Sequence, residues 1–361
     1  MEDPLPNLAR PDELRPINSL DSVAFSRIEY EQHPAYAPLV ANAGFVTKVV
    51  ALTSFIRKFV PLLVKRAIRY EMIPNHVRKQ GGLKFVGWAA RNILRIESRP
   101  IVKNATFVLV EQMEREGVVV TTIPHHSIVA LEQASNAQFE QLRARRGDQA
   151  NRKRGFDESR SSVDRRHESA LFDRVESILF EAGVINAASA YLGRLARLVD
   201  VNPQINDISD GFWREVFPDI CKQPLPETAY FHRDASGGDI KAIIYLTDVG
   251  LENGPFTYVL GSHRCSRGSL DDLICETNDH GLSDTDPGTR KLFAALPAAL
   301  RKKGSFGNDV LPSSTLAREL IGGSWQIVSE KGSIVLFDTK GVHRGGMVEV
   351  GERLVITCVL G

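Results

Sequence analysis

His232 and Asp234 stand two residues apart, and His343 follows 109 residues beyond the aspartate. Successive side chains alternate faces along a β-strand, so an H-x-D pair at a strand end turns an imidazole and a carboxylate to the same side. A third ligand must come from another strand brought alongside, and His343, just past the apolar run 333–337, is the candidate. Two imidazoles and one carboxylate on one face of an octahedral metal leave three positions open. That is the arrangement by which non-haem Fe(II) centres take up an organic cosubstrate and O₂ together.

Arg353 opens the last apolar run of the chain, and alternation puts Arg353, Val355, Thr357 and Val359 on one face. On an inward face, Arg353 is a buried guanidinium in need of an anion. Its planar fork suits a carboxylate bidentately, as the far end of a dicarboxylic cosubstrate would offer. Each element alone is a weak sign, because H-x-D arises often by chance and a lone His or Arg in a strand is usually structural. A merely hydrogen-bonded His232–Asp234 pair, however, leaves His343 and Arg353 unexplained.

The elements that must position these residues are short. From residue 198 onward, β-type runs at 198–201, 228–231, 241–247, 257–260, 326–328, 333–337 and 353–360 are separated by turn residues. Short strands at such spacing argue for a sandwich or jelly roll rather than βαβ units. Upstream, a helix is expected near residue 108, then a turn at Gly117 and the β-branched run 118–123. Helices are expected at 128–146 and 170–197. The fold class is therefore α+β.

Residues 44–70 are apolar and basic, with Lys48, Arg57, Lys58, Lys65, Arg66 and Arg69 and no acid. The pattern Phe45, Val49, Leu52, Phe55, Ile56, Phe59 suits an amphipathic helix broken or restarted at Pro61. A helix packed on the main domain with snorkelling bases is the preferred reading, and a membrane-surface helix the competing one. The charge-dense stretch 143–166 mixes both signs around the single aromatic Phe156. It reads as a solvated loop rather than a nucleic-acid patch.

A formal net charge of +1 sets up no global field toward nucleic acid. Cys221, Cys265, Cys275 and Cys358 show no CxxC spacing and read as reduced thiols. The acidic start Met1-Glu2-Asp3-Pro4 has no apolar h-region, and no uncharged run approaches a bilayer span, so a cytoplasmic location is expected.

From about residue 228 to 361 the chain resembles the phytanoyl-CoA dioxygenase family of Fe(II)/2-oxoglutarate oxygenases. The resemblance is carried by His232-Arg233-Asp234, the run 242–248, Asn253-Gly254-Pro255, Gly261-Ser262-His263 and the stretch from Phe337 to Arg353. The run 114–120 is similar, more weakly, to that family's opening helix and strand. The resemblance implies iron ligands His232, Asp234 and His343, and Arg353 on the C5 carboxylate of 2-oxoglutarate. Tyr245, Thr257 and Thr357 would line the cosubstrate pocket, and His263 would be structural. It further implies a double-stranded β-helix core with flanking helices.

The expected organisation is a mostly helical extension over 1–104 and an oxygenase domain over 105–361, with an inserted segment at 265–325 lying over the site. Related halogenases carry a small residue where Asp234 stands. The expected reaction is thus hydroxylation of an unactivated C–H of a small molecule, with succinate and CO₂ released. A non-catalytic, cupin-like metal-binding shell and a membrane-associated module are the competing classes.

Overall fold

The computed structural model describes residues 14, 16–17 and 31–361, apart from 35, 69, 71–72, 74, 94–103, 124, 147–159, 208–226, 235–239, 265–269, 271–272, 275, 279–286 and 302–309. Cys221, Cys265 and Cys275 lie outside the described residues, as do most of 1–30 and the middle of the charged stretch. At its described C-terminal flank Arg165 pairs with Asp173 and Glu176, and Arg166 with Asp164.

The chain begins with helices α1 (Ala37–Ala41), α2 (Phe45–Ala67), α3 (Asn75–Gln80), α4 (Gly82–Ile93) and α5 (Asn104–Glu116). Strand β1 (Val118–Thr122) follows, then α6 (His125–Arg146), α7 (Ser169–Glu181) and α8 (Val184–Leu192). Strands β2 (Leu198–Asp207), β3 (Ile240–Tyr245) and β4 (Thr257–Val259) lead to α9 (Pro287–Ala294), α10 (Ala298–Arg301) and α11 (Thr315–Gly322). The chain closes with β5 (Ser324–Gln326), β6 (Ser333–Asp338), β7 (His343–Arg344) and β8 (Glu352–Leu360). The class is α+β, with two antiparallel sheets.

The larger sheet runs β1-β6-β3-β8-β2 and the smaller one β5-β4-β7. In the larger sheet, Ile243 on β3 faces Val335 on β6 and Thr357 on β8. Alternation then divides each strand between two cores. Ile240, Ala242 and Ile244 on β3, with Ile356, Cys358 and Leu360 on β8, join residues of α5 to α8 in one cluster. Tyr245, Val335, Phe337 and Val355 turn the other way and meet Tyr258 and Trp325 of the smaller sheet and Phe256 just before it. The layers are thus helices, a five-stranded sheet and a three-stranded sheet. Strand β6 is buried along its whole length, because both its faces are covered, as an unbroken apolar run requires.

Several expectations shift. The single helix anticipated at 170–197 is two, since Gly183 takes a left-handed φ of 75° between Glu181 and Val184 and Gly193 ends the second. Residues 228–231 form turns rather than a strand, leaving His232 in an isolated bridge. The strand anticipated at 326–328 is Ser324–Gln326.

The amphipathic pattern of α2 is also divided differently. Ala51 and Phe55 are buried, whereas Phe45, Val49, Leu52 and Ile56 face outward. Its buried side joins Phe293, Leu296, Leu316 and Leu320 from 287–322, together with Phe231 and Val342. Part of the segment anticipated as an insertion therefore packs behind the residues that precede His232 and His343.

Candidate metal centre

His232, Asp234 and His343 come together, with one potential ligand atom from each within 4.8 Å of the others. The three can hold a metal ion. The link between distant parts of the chain is backbone: His232 and His343 exchange two N–H···O bonds of 2.9 Å, and the Asp234 N–H donates to the Thr339 carbonyl at 3.0 Å.

Both imidazoles are oriented in the same way. Nδ1 of His232 lies 2.9 Å from the Tyr230 carbonyl, and Nδ1 of His343 lies 2.8 Å from the Gly341 carbonyl. A proton on each Nδ1 leaves each Nε2 with its lone pair free, the second-shell device that orients metal-binding histidines. Those Nε2 atoms stand 3.7 Å and 3.6 Å from the two Asp234 oxygens. Tyr230 adopts a φ of 61°, a conformation few residues with a side chain accept. The twist turns its carbonyl into His232 and is the kind of strain that collects at functional sites.

The loop carrying His343 is clamped from four sides. The Asp338 carboxylate accepts from the Tyr191 hydroxyl at 2.6 Å and from the Lys340 N–H at 2.9 Å. Its carbonyl accepts from the Tyr258 hydroxyl at 2.9 Å. Buried Arg233 donates through Nε to the Lys340 carbonyl. Ser262 donates to the Val259 carbonyl at 2.6 Å and accepts the Val342 N–H at 2.7 Å. The Gly-Ser-His triplet thus supports the residue before His343. His263 itself stands apart from the trio, with Nε2 3.2 Å from the Glu114 carbonyl.

The electrostatics favour an ionised Asp234 and a neutral His232. Burial pushes the Asp234 carboxyl up, but His343, Lys241 and His232 around it prevail and hold it well below the usual carboxylate range. Burial first, and then the neighbouring His343, hold His232 down to about 4. These are the protonation states in which metal ligands act.

Arg353 is buried, and its Nη1 has no hydrogen-bond partner among the described residues. Burial lowers its pKa from the ordinary value, with Tyr245 pulling the other way. Tyr245 is buried as well, its hydroxyl oxygen accepting the Phe256 N–H at 3.3 Å. Thr357 is half-buried and takes a 3.0 Å hydrogen bond from Gln204 on β2. Thr257, expected to share this pocket, is turned away from it. Its neighbour Tyr258 faces the inner aromatic cluster and stacks on His343, so alternation sends Thr257 to the outer face of β4. There it lines a cleft with Gln326, Arg344 and Gly345.

Lys241 was not among the anticipated residues, yet its Nζ lies 2.7 Å from Asp234 Oδ2. A signal existed in the apolar run 240–246, where a lone lysine shares its alternation face with Tyr245. Tyr191, Asp338 and Tyr258 had no such signal, because their roles arise from contacts between distant segments.

No family model matches the chain, and no curated protein does. Solved structures are similar over most of its length. One is the non-heme alpha ketoglutarate dependent carbocyclase SnoK from nogalamycin biosynthesis, at 14% identity over 73% of this chain and 86% of that one, with a TM-score of 0.41. The epimerase SnoN of the same biosynthesis is 16% identical over 71% and 82%, also with a TM-score of 0.41. EctD from S. alaskensis, solved with 2-oxoglutarate and 5-hydroxyectoine, is 12% identical over 74% and 80%, with a TM-score of 0.42.

Proposed function

We propose that this chain is an Fe(II)- and 2-oxoglutarate-dependent oxygenase that hydroxylates an unactivated C–H of a small molecule, with succinate and CO₂ as co-products. The observation that carries the reading is the trio His232, Asp234 and His343, in which both Nδ1 atoms are engaged and both Nε2 atoms face the carboxylate. Two neutral imidazoles and one carboxylate suit Fe(II) and leave positions for other ligands. In this reading His232, Asp234 and His343 hold iron, whose bound form supplies O₂ activation. Arg353 binds the far carboxylate of 2-oxoglutarate, for which its unpartnered, buried Nη1 is suited. Tyr245 interacts electrostatically with that guanidinium, and Thr357 falls on the same alternation face of β8 as Arg353.

The two facing antiparallel sheets support a double-stranded β-helix, the core of a domain over 105–361 preceded by a helical extension over 1–104. The family we assign is the phytanoyl-CoA dioxygenase family, on the segments between Thr228 and Gly361 named above. The test is anaerobic addition of Fe(II) and 2-oxoglutarate to the metal-free protein. We expect a weak visible metal-to-ligand charge-transfer band in the wild type, its loss in His343→Ala, and succinate release in a subsequent substrate screen. Folded protein without the band overturns the reading and leaves the non-catalytic metal-binding shell in its place.

A further inference from the structure

Helix α2 buries one side and leaves an unusual amount of apolar surface on the other. Phe45, Val49, Leu52, Ile56, Val60 and Leu63 recur at intervals of three and four, and every one of them is exposed, Phe45 at 82%. At 1.5 Å per residue this stripe runs about 27 Å along a convex helix. A second stripe stands on α4, where Leu83 is 91% exposed and Val86 and Ile93 are exposed as well. Scattered apolar side chains are ordinary at a protein surface, but a contiguous stripe of this kind marks an interaction site.

Charge decides the occupant. Residues 44–93 contain ten Lys and Arg against one acid, Glu71, in a protein whose total is +1. The other residues therefore carry 35 basic against 43 acidic groups, and the positive charge is concentrated in this segment of the chain. On α2 the exposed Lys48 and Arg57 lie on opposite flanks of the stripe, by helical spacing. An aliphatic stripe between basic flanks on a convex surface fits an anionic bilayer surface, into which such a helix sinks side-on. Among the described residues no helix is long and apolar enough to cross a membrane. That leaves the helix lying in the interface.

We propose that α2 docks the protein on anionic phospholipid, with the stripe Phe45–Leu63 in the acyl boundary and Lys48 and Arg57 on the headgroups. The inference is independent of the oxygenase reading. The test is cosedimentation of the full chain with vesicles of phosphatidylcholine alone or with about one quarter phosphatidylserine. Binding should be about tenfold or more stronger to the anionic vesicles, and should fall at high salt. The double variant Ile56→Asp/Val60→Asp should lose binding to background, and Lys48→Glu/Arg57→Glu should lose most of it, with thermal melts unchanged. Should the aspartates disturb folding, Phe45→Asp at the exposed helix end carries the same test. Equal binding to both vesicle types, or undiminished binding by the folded aspartate variants, overturns the proposal. So does a wild-type dimer in light scattering that Ile56→Asp/Val60→Asp converts to monomer, since a second copy would then be the occupant.

Discussion

Lys241 Nζ sits 2.7 Å from Asp234 Oδ2, the carboxylate oxygen that His343 Nε2 approaches at 3.6 Å. An ammonium therefore neutralises the Asp234 carboxylate. Removing one partner of a mostly buried ion pair leaves the other charge uncompensated, which costs more than the pair itself is worth. Lys241→Met should destabilise the metal-free protein by about 1–3 kcal/mol. Asp234 then lacks its ammonium partner, so the rise in Tm on adding metal should be larger than in wild type. Calorimetry of both forms checks this, and an unchanged metal-free Tm would refute it.

Arg353 offers the opposite balance. A buried guanidinium whose Nη1 has no hydrogen-bond partner among the described residues carries an uncompensated desolvation cost. Arg353→Met, similar in length and apolar, should hold or raise stability by about 1 kcal/mol. The same change should abolish the thermal shift caused by 2-oxoglutarate. Arg353→Lys should retain a weakened shift, because an ammonium lacks the bidentate fork.

Acid should unfold the metal-free protein in a definable window. His232 is held down to about 4 in the folded chain, against 6.5 when unperturbed. The unfolded state therefore takes up the proton first as the pH falls. Its contribution is fully present above pH 6.5 and declines toward pH 4, by no more than about 3 kcal/mol. Asp234, held well below its usual range, adds a further loss below that. His232→Gln should flatten the upper part of the curve in chemical denaturation at stepped pH.

Gly341 tests how tightly the His343 loop is clamped. A Cβ at this position would lie 1.8 Å from the Tyr258 hydroxyl oxygen, which bonds the Asp338 carbonyl. Gly341→Ala should cost about 1–3 kcal/mol through overpacking. Displacing the loop also moves the carbonyl that orients His343, so metal affinity should fall roughly 10- to 100-fold, as for other losses of second-shell support. Metal titration alongside thermal melts separates the two effects.

Asp234→Ala should reduce Fe(II) affinity beyond that 10- to 100-fold range, because a ligand itself is removed. Equilibrium dialysis against Fe(II) under anaerobic conditions reads the change directly.

Most of the strands near the site were legible because their signals are local. The period-two alternation of 241–247 and 353–360 appears in the larger sheet, with Arg353 and Val355 on the inward face as alternation requires. His232 and Asp234 converge as their spacing suggested, although His232 sits in an isolated bridge rather than a strand. Local periodicity misled where two faces compete. On α2 it marked an apolar stripe without saying whether protein or solvent would meet it, and Phe55 went in while Ile56 stayed out. For Thr257 the residue types were right for a pocket, but the strand's phase was set by Tyr258 packing into the inner cluster.

The sequence by itself determined which side chains were available for the chemistry and which of them alternation places together on a strand. Only the tertiary structure decided that His343 meets His232, that Lys241 reaches Asp234 and that Tyr230 twists its carbonyl onto an imidazole. The physical reason is that strand pairing is fixed by burial of the whole sheet between two cores, a sum over distant residues that no local window contains.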